Sequence, residues 1–121
     1  MTRILLAEDE EILRMLVLDT LEDEGYVIDE ASDGREAYEM IQRNHYDLVI
    51  LDYMMPHLTG LEVVEKTRNV LMKKEIKIMI LSAKNQQSDR DRIKEAGADY
   101  FMSKPFSPLQ LLETIGEILG E

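Results

Sequence analysis

Five times along the chain a short apolar run gives way to a stretch whose apolar residues recur at helical spacing. That alternation leaves few folds open. The runs fall at residues 3–7, 27–31, 47–51, 76–81 and 99–102, and the first, third and fourth are almost continuously aliphatic. Strands covered on both faces read this way. Between them, Ile12, Leu13, Leu16, Val17 and Leu21 share one stripe of a helix expected over 10–24. Further helices are expected over 34–44, 58–72, 88–96 and 107–119, the last with Leu111, Leu112, Ile115, Ile118 and Leu119 as its apolar face. Gly25 and Gly97 stand where helix-ending glycines belong. Strand–helix units in series imply an α/β fold, a doubly wound parallel sheet with helices on both faces and right-handed crossovers. The 121 residues contain no Pro/Gly/Ser-rich linker, so 1–121 is expected to form a single domain.

Composition removes several function classes. There is no cysteine, which excludes a disulfide framework and a thiolate metal site. The two histidines, His45 and His57, cannot close a zinc site by themselves. No apolar run nears the roughly 20 residues that span a bilayer, and Glu8 and Asp9 interrupt anything resembling a signal peptide. The expectation is a cytoplasmic protein without membrane contact. With 14 basic against 25 acidic residues the formal charge is −11, which argues against direct contact with nucleic acid.

In a doubly wound sheet the functional crevice lies outside the carboxyl ends of the strands. Glu8 and Asp9 follow the first run and Asp52 ends "LVILDYMMP"; Ser82 follows the fourth run, and Lys104 follows the fifth, just before Pro105. If strands one, three, four and five are adjacent, these five side chains converge. Three carboxylates at close range repel, so at least one should have a raised pKa unless a cation joins them. Lys104 neutralises part of the charge. A hard divalent ion would neutralise more, and Mg²⁺ suits a shallow all-oxygen site, with no histidine or cysteine placed to favour zinc. A carboxylate flanked by Mg²⁺, an ammonium and a hydroxyl is suited to accept a phosphoryl group.

The motifs "LLAEDE", "VILDYMMPHLTG", "ILSA" and "KPF" occur in that order across residues 5–106. With them the chain resembles a receiver domain of two-component response regulators, of the chemotaxis-regulator kind. The resemblance implies a flavodoxin-like three-layer sandwich with strand order 2-1-3-4-5. It also implies that Asp52 accepts a phosphoryl group from a sensor histidine kinase or phosphotransfer protein. Glu8 and Asp9, with Asp52 and the backbone carbonyl of Met54, would hold Mg²⁺. Ser82 would hydrogen-bond the phosphoryl group, beside the small Ala83, and Lys104 would pair with its oxygens, its bond to Pro105 being cis. Phe101 falls on the aromatic switch position, and Met54 and Lys84 on the positions that tune phosphoryl lifetime. The implied function is a signalling switch whose helix 4–strand 5–helix 5 face is remodelled for a downstream protein target or output domain. It would be a monomer or a phosphorylation-dependent dimer, and not a turnover enzyme on external substrates.

Three departures from the commonest family pattern have consequences. The acidic pair is Glu-Asp, so the longer arm of Glu8 is expected to reach a metal through water. Phe101 lacks a tyrosine's hydroxyl, which leaves its switch to packing alone. Met54 cannot orient an attacking water, so slow self-hydrolysis is expected.

Plainer readings stand beside these. A lone strand-end aspartate is commonly a helix cap, and Glu10 and Glu11 suit the acidic first turn of a helix. Phe101 would serve equally as core, and the eight methionines as gap-filling side chains. Among other functions, an aspartyl phosphatase of the haloacid-dehalogenase kind needs a second aspartate where Met54 stands. A flavodoxin-like FMN carrier needs phosphate donors where residues 8–11 are all acidic. A pseudo-receiver that docks partners without phosphorylation would have no use for the five-residue set.

Overall fold

The computed structural model describes residues 1–120. Its elements are β1 (Arg3–Ala7), α1 (Glu11–Leu21), a 3₁₀ turn (Glu22–Glu24), β2 (Val27–Ala31), α2 (Gly34–Arg43), β3 (Leu48–Asp52), α3 (Gly60–Asn69), β4 (Lys77–Ser82), α4 (Gln87–Ala96), β5 (Tyr100–Ser103) and α5 (Pro108–Leu119). The five strands are all parallel, in the order β2-β1-β3-β4-β5. This is the flavodoxin-like arrangement expected above.

The period of two along each strand divides the core into two layers. Leu5, Ala7, Val49, Leu51, Ile78 and Ile80 face one side, where Ala37 and Ile41 of α2, Val63 and Val64 of α3 and Ile93 of α4 cover them. Ile4, Leu6, Leu48, Ile50, Met79 and Leu81 face the other, under Val17 and Leu21 of α1 and Leu111, Ile115 and Ile118 of α5. Every residue of β3 is buried, as its unbroken aliphatic run requires. Each such Leu or Ile contributes roughly 1.5–3 kcal/mol, so the middle of the sheet is its firmest part.

Several expected boundaries move for identifiable reasons. Asp47 and Asp99 lie just outside β3 and β5, where their carboxylates accept from the backbone of the neighbouring strand. Asp47 takes the N–H of Arg3 at 2.8 Å, and Asp99 takes that of Ile78 at 2.9 Å. Helix α3 starts at Gly60 rather than 58, because Thr59 and Glu62 form a reciprocal capping box. It ends before the left-handed Met72, whose φ is 57°. The first helix stops at Leu21, and Gly25, with φ 81°, closes the 3₁₀ turn that follows.

The larger correction concerns the face of α1. Ile12 is 84% exposed and Leu16 42%, so neither belongs to the inward stripe. That stripe instead runs through Arg14, Val17, Leu18 and Leu21. Helix α4 is held differently from the rest: among its residues only Ile93 is buried. Its C-terminal end is tied down by Arg68 of α3, which donates to the Gly97 carbonyl at 3.0 Å and to Asp99 at 2.9 Å.

Candidate functional site

Because β1, β3, β4 and β5 are neighbours, their carboxyl ends form one continuous edge. The register sets Ala7 beside Leu51, Asp52 beside Leu81 and Ser82 beside Ser103. Glu8, Asp9, Asp52, Ser82 and Lys104 all stand at or just past this edge. Lys104 donates to Asp52 Oδ1 at 2.8 Å and to Glu8 Oε1 at 3.1 Å. One carboxylate oxygen from each of Glu8, Asp9 and Asp52 lies within 4.8 Å of the others. Glu8, Asp52 and Ser82 are buried, and Asp9 is exposed.

Burial sets the charge state here. It pushes the Glu8 carboxyl up to about 7, against the Glu10 N–H and the Lys104 ammonium, which favour the anion; neighbouring Asp52 adds to the rise. Asp52 is likewise raised by burial, with Lys104 opposing. Burial alone would lower Lys104, but its bonds to Asp52 and Glu8 outweigh that and hold it above its ordinary value. The cluster is short of positive charge. Three carboxylates with oxygen donors only, served by one ammonium, fit a hard divalent cation such as Mg²⁺.

The loop after β3 is held at both ends. Tyr53 donates to Leu81 O at 2.9 Å and accepts from Gly60 N at 2.9 Å. A Cβ on Gly60 would lie 2.4 Å from the Asp52 carbonyl oxygen, so only glycine permits this close return of the chain. On the other side, a Cβ on Gly34 would lie 1.9 Å from the Leu58 carbonyl oxygen. Met54, whose carbonyl belongs to this loop, leaves its side chain 58% exposed.

The remaining expected residues occupy the rim and the β5 edge. Ser82 Oγ accepts the Lys84 N–H at 2.9 Å, and Ser82 O accepts that of Lys104 at 2.9 Å. The Lys84 ammonium lies 5.4 Å from the centre of the Tyr53 ring. Phe101 is half-buried against the core, with the Arg90 guanidinium 4.9 Å from its ring centre. It is outside the carboxylate cluster. The Lys104–Pro105 bond is cis.

Two residues of this neighbourhood escaped the sequence reading: Arg14 and Tyr53. Arg14 left no signal, since the apolar stripe read from periodicity passes beside it. Beside Lys104, an apolar recess opens between Leu13, Leu16, Ala83, Pro105 and Phe106. The exposed Ile12 and Met15 belong to the same helix.

Residues 4–116 match the response regulator receiver domain family. Among curated proteins, the transcriptional regulatory protein SrrA of Staphylococcus aureus is 38% identical over 116 residues, covering 96% of this chain and 47% of that protein. The chain thus spans about half the length of the curated relatives it matches. Among solved structures, the chemotaxis response regulator CheY4 of Vibrio cholerae is 34% identical with a TM-score of 0.91, over 98% of both chains. The response regulator TrrA of Thermotoga maritima, solved in complex with Mg²⁺-BeF, is 38% identical with a TM-score of 0.84, over 98% of this chain and 99% of that one.

Proposed function

The chain belongs to the response regulator receiver domain family, and from that premise we propose that it is a switch thrown by phosphorylation of Asp52. One observation above all supports the choice of acceptor. Asp52 is the carboxylate that the Lys104 ammonium holds at 2.8 Å within the acidic cluster, at the end of the most buried strand.

In the proposed transfer, a carboxylate oxygen of Asp52 forms a bond to the phosphorus of a donor phosphohistidine. The P–N bond breaks and the imidazole nitrogen keeps its electron pair. Glu8, Asp9, Asp52 and the Met54 carbonyl would hold Mg²⁺, which when bound offsets the negative charge of the phosphoryl oxygens. The Mg²⁺-BeF complex of TrrA supports that assignment. Lys104 turns its ammonium from the free carboxylate to the phosphoryl oxygens, and the Ser82 hydroxyl donates to them. Phe101 follows as packing around Ser82 changes. The α4–β5–α5 face shifts as a population between two conformations.

The donor is a sensor histidine kinase or phosphotransfer protein. The exposed Ile12, Met15 and Leu16, beside the apolar recess at Lys104, offer it a surface at the acceptor. The downstream partner is a protein target or an output domain, in line with relatives twice as long. We take residues 1–121 as one domain that acts in the cytoplasm as a monomer or a phosphorylation-dependent dimer. It turns over no external substrate, since Met54 stands where an aspartyl phosphatase places its acid. Labelling by acetyl phosphate and Mg²⁺ tests the reading: the parent should gain an acid-stable, hydroxylamine-labile phosphoryl group that Asp52→Asn lacks. Equal labelling of the two would refute it.

A further inference from the structure

Helix α1 turns an arginine toward the sheet at a position where its stripe invites an apolar side chain. Arg14 is in line with Val17, Leu18 and Leu21, and its side chain is only 19% exposed. Its two contacts reach the residue just past β1 and a residue of β2. Nη1 donates to the Glu8 carbonyl oxygen at 2.7 Å, and Nε lies 3.3 Å from Glu30 Oε1 on β2.

The carbonyl contact falls where no regular structure fixes the backbone. The β1 ladder ends at Ala7 and α1 begins at Glu11, so residues 8–10 belong to neither. Glu8 is nonetheless held at every polar atom. Its N–H donates to Ala31 O at 3.1 Å, and its carboxylate accepts from Lys104 and from Glu10 N, each at 3.1 Å. Arg14 takes the carbonyl, which is half of the peptide unit joining Glu8 to Asp9. That unit is planar, so fixing its oxygen fixes the direction in which the chain enters Asp9. Asp9 is the exposed member of the acidic trio. Among the described residues no hydrogen bond or ion pair holds its carboxylate, and its placement therefore depends on the backbone beneath it.

We propose that Arg14 is a positioning residue for the cation site: through its bond to the Glu8 carbonyl it sets the Glu8–Asp9 peptide plane and with it the Asp9 carboxylate, independently of its more exposed ion pair with Glu30. This rests on the Mg²⁺ reading given above. A charge-assisted bond to the carbonyl is short and directional. The guanidinium fork serves both partners at once, which a lysine ammonium on a flexible stem does less well. Groups that orient metal ligands from behind typically change metal affinity ten- to a hundredfold.

The test is Mg²⁺ titration of the whole chain by isothermal calorimetry, with thermal unfolding in EDTA alongside. Arg14→Ala should raise the Mg²⁺ Kd about tenfold or more, and Arg14→Lys by a smaller factor. Glu30→Gln loses the ion pair but keeps the carbonyl contact, and should stay within about twofold of the parent. Any general loss of stability appears in the unfolding curves of both Arg14 and Glu30 variants, whereas the affinity loss belongs to Arg14 alone. Arg14→Ala binding within about twofold of the parent overturns the proposal, as does Glu30→Gln weakening binding as much as Arg14→Ala. If Arg14→Ala does not fold, Arg14→Lys against Glu30→Gln decides the same question: a larger loss in the lysine variant supports the assignment and an equal one overturns it. No heat of binding from the unsubstituted chain would instead overturn the Mg²⁺ reading itself.

Discussion

Lys104 Nζ meets Asp52 Oδ1 at 2.8 Å, and the same ammonium meets Glu8 at 3.1 Å. One cation thus bridges two buried carboxylates and leaves the third, the exposed Asp9, without it. The lysine favours the charged form of Asp52 against the burial that raises its carboxyl. It also opposes any metal ion entering the same cluster.

Replacing Lys104 should separate those two effects. In Lys104→Met, Mg²⁺ binding is expected to tighten by roughly two- to tenfold, because a competing cation is gone. Phosphorylation by acetyl phosphate should fall about a hundredfold, the usual cost of losing one charge-stabilising donor. Calorimetry and labelling rates on the same preparation check this, and parallel loss of both properties would contradict it.

The raised Glu8 carboxyl makes the metal-free protein sensitive to pH. Its folded value of about 7 exceeds the ordinary 4.5, so the folded state holds the proton more tightly. That contribution is fully present below pH 4.5 and is lost as pH rises through 7. In EDTA the Tm of the parent should fall by about 5 °C between pH 5 and 8. Glu8→Gln should give a flatter profile, with a remaining slope from the raised Asp52. An equally steep profile in Glu8→Gln would contradict the assignment.

Met54 stands on the loop that follows Asp52, mostly exposed. A thioether gives an attacking water no strong hydrogen bond. Phospho-Asp52 should therefore decay several-fold faster in Met54→Asn than in the parent, measured as loss of label in Mg²⁺. Unchanged decay would remove Met54 from the account of lifetime.

Gly60 is required by space, since a Cβ there would fall 2.4 Å from the Asp52 carbonyl oxygen. Gly60→Ala is expected to cost about 2–3 kcal/mol in urea unfolding, because the atom it meets is backbone and cannot rotate away. Thr59→Ala, which removes only the cap of the same helix, should cost about 1 kcal/mol. Equal costs would mean that the chain around Asp52 gives way.

The fold was legible because a fully buried parallel strand has no alternative way to hide "LVIL", and strand-end residues of neighbouring strands must share an edge. The acidic cluster followed from that placement. The face of α1 did not. Periodicity counts apolar residues, and Ile12 and Leu16 satisfy the count while lying to one side of the buried stripe. Arg14 was hidden for the same reason, because a charged residue on a helix reads as solvated until its partners are known. The pairs Lys84–Tyr53 and Arg90–Phe101 join residues from different elements, and no spacing along the chain announces them.

Helix α4 keeps a single apolar side chain, Ile93, in the core, while Arg68 fastens its far end. An apolar contact of that size holds an element by about 2–3 kcal/mol. That is comparable to one charge-assisted hydrogen bond, at roughly 1.5–3 kcal/mol, so a single modified side chain can tip the balance. The same smallness has a second effect: an element fastened by so few contacts is the one this fold displaces most easily. Under the proposed switch the resting protein would therefore sample some of the displaced form, and the contrast a partner reads would be set by how little of α4 is buried.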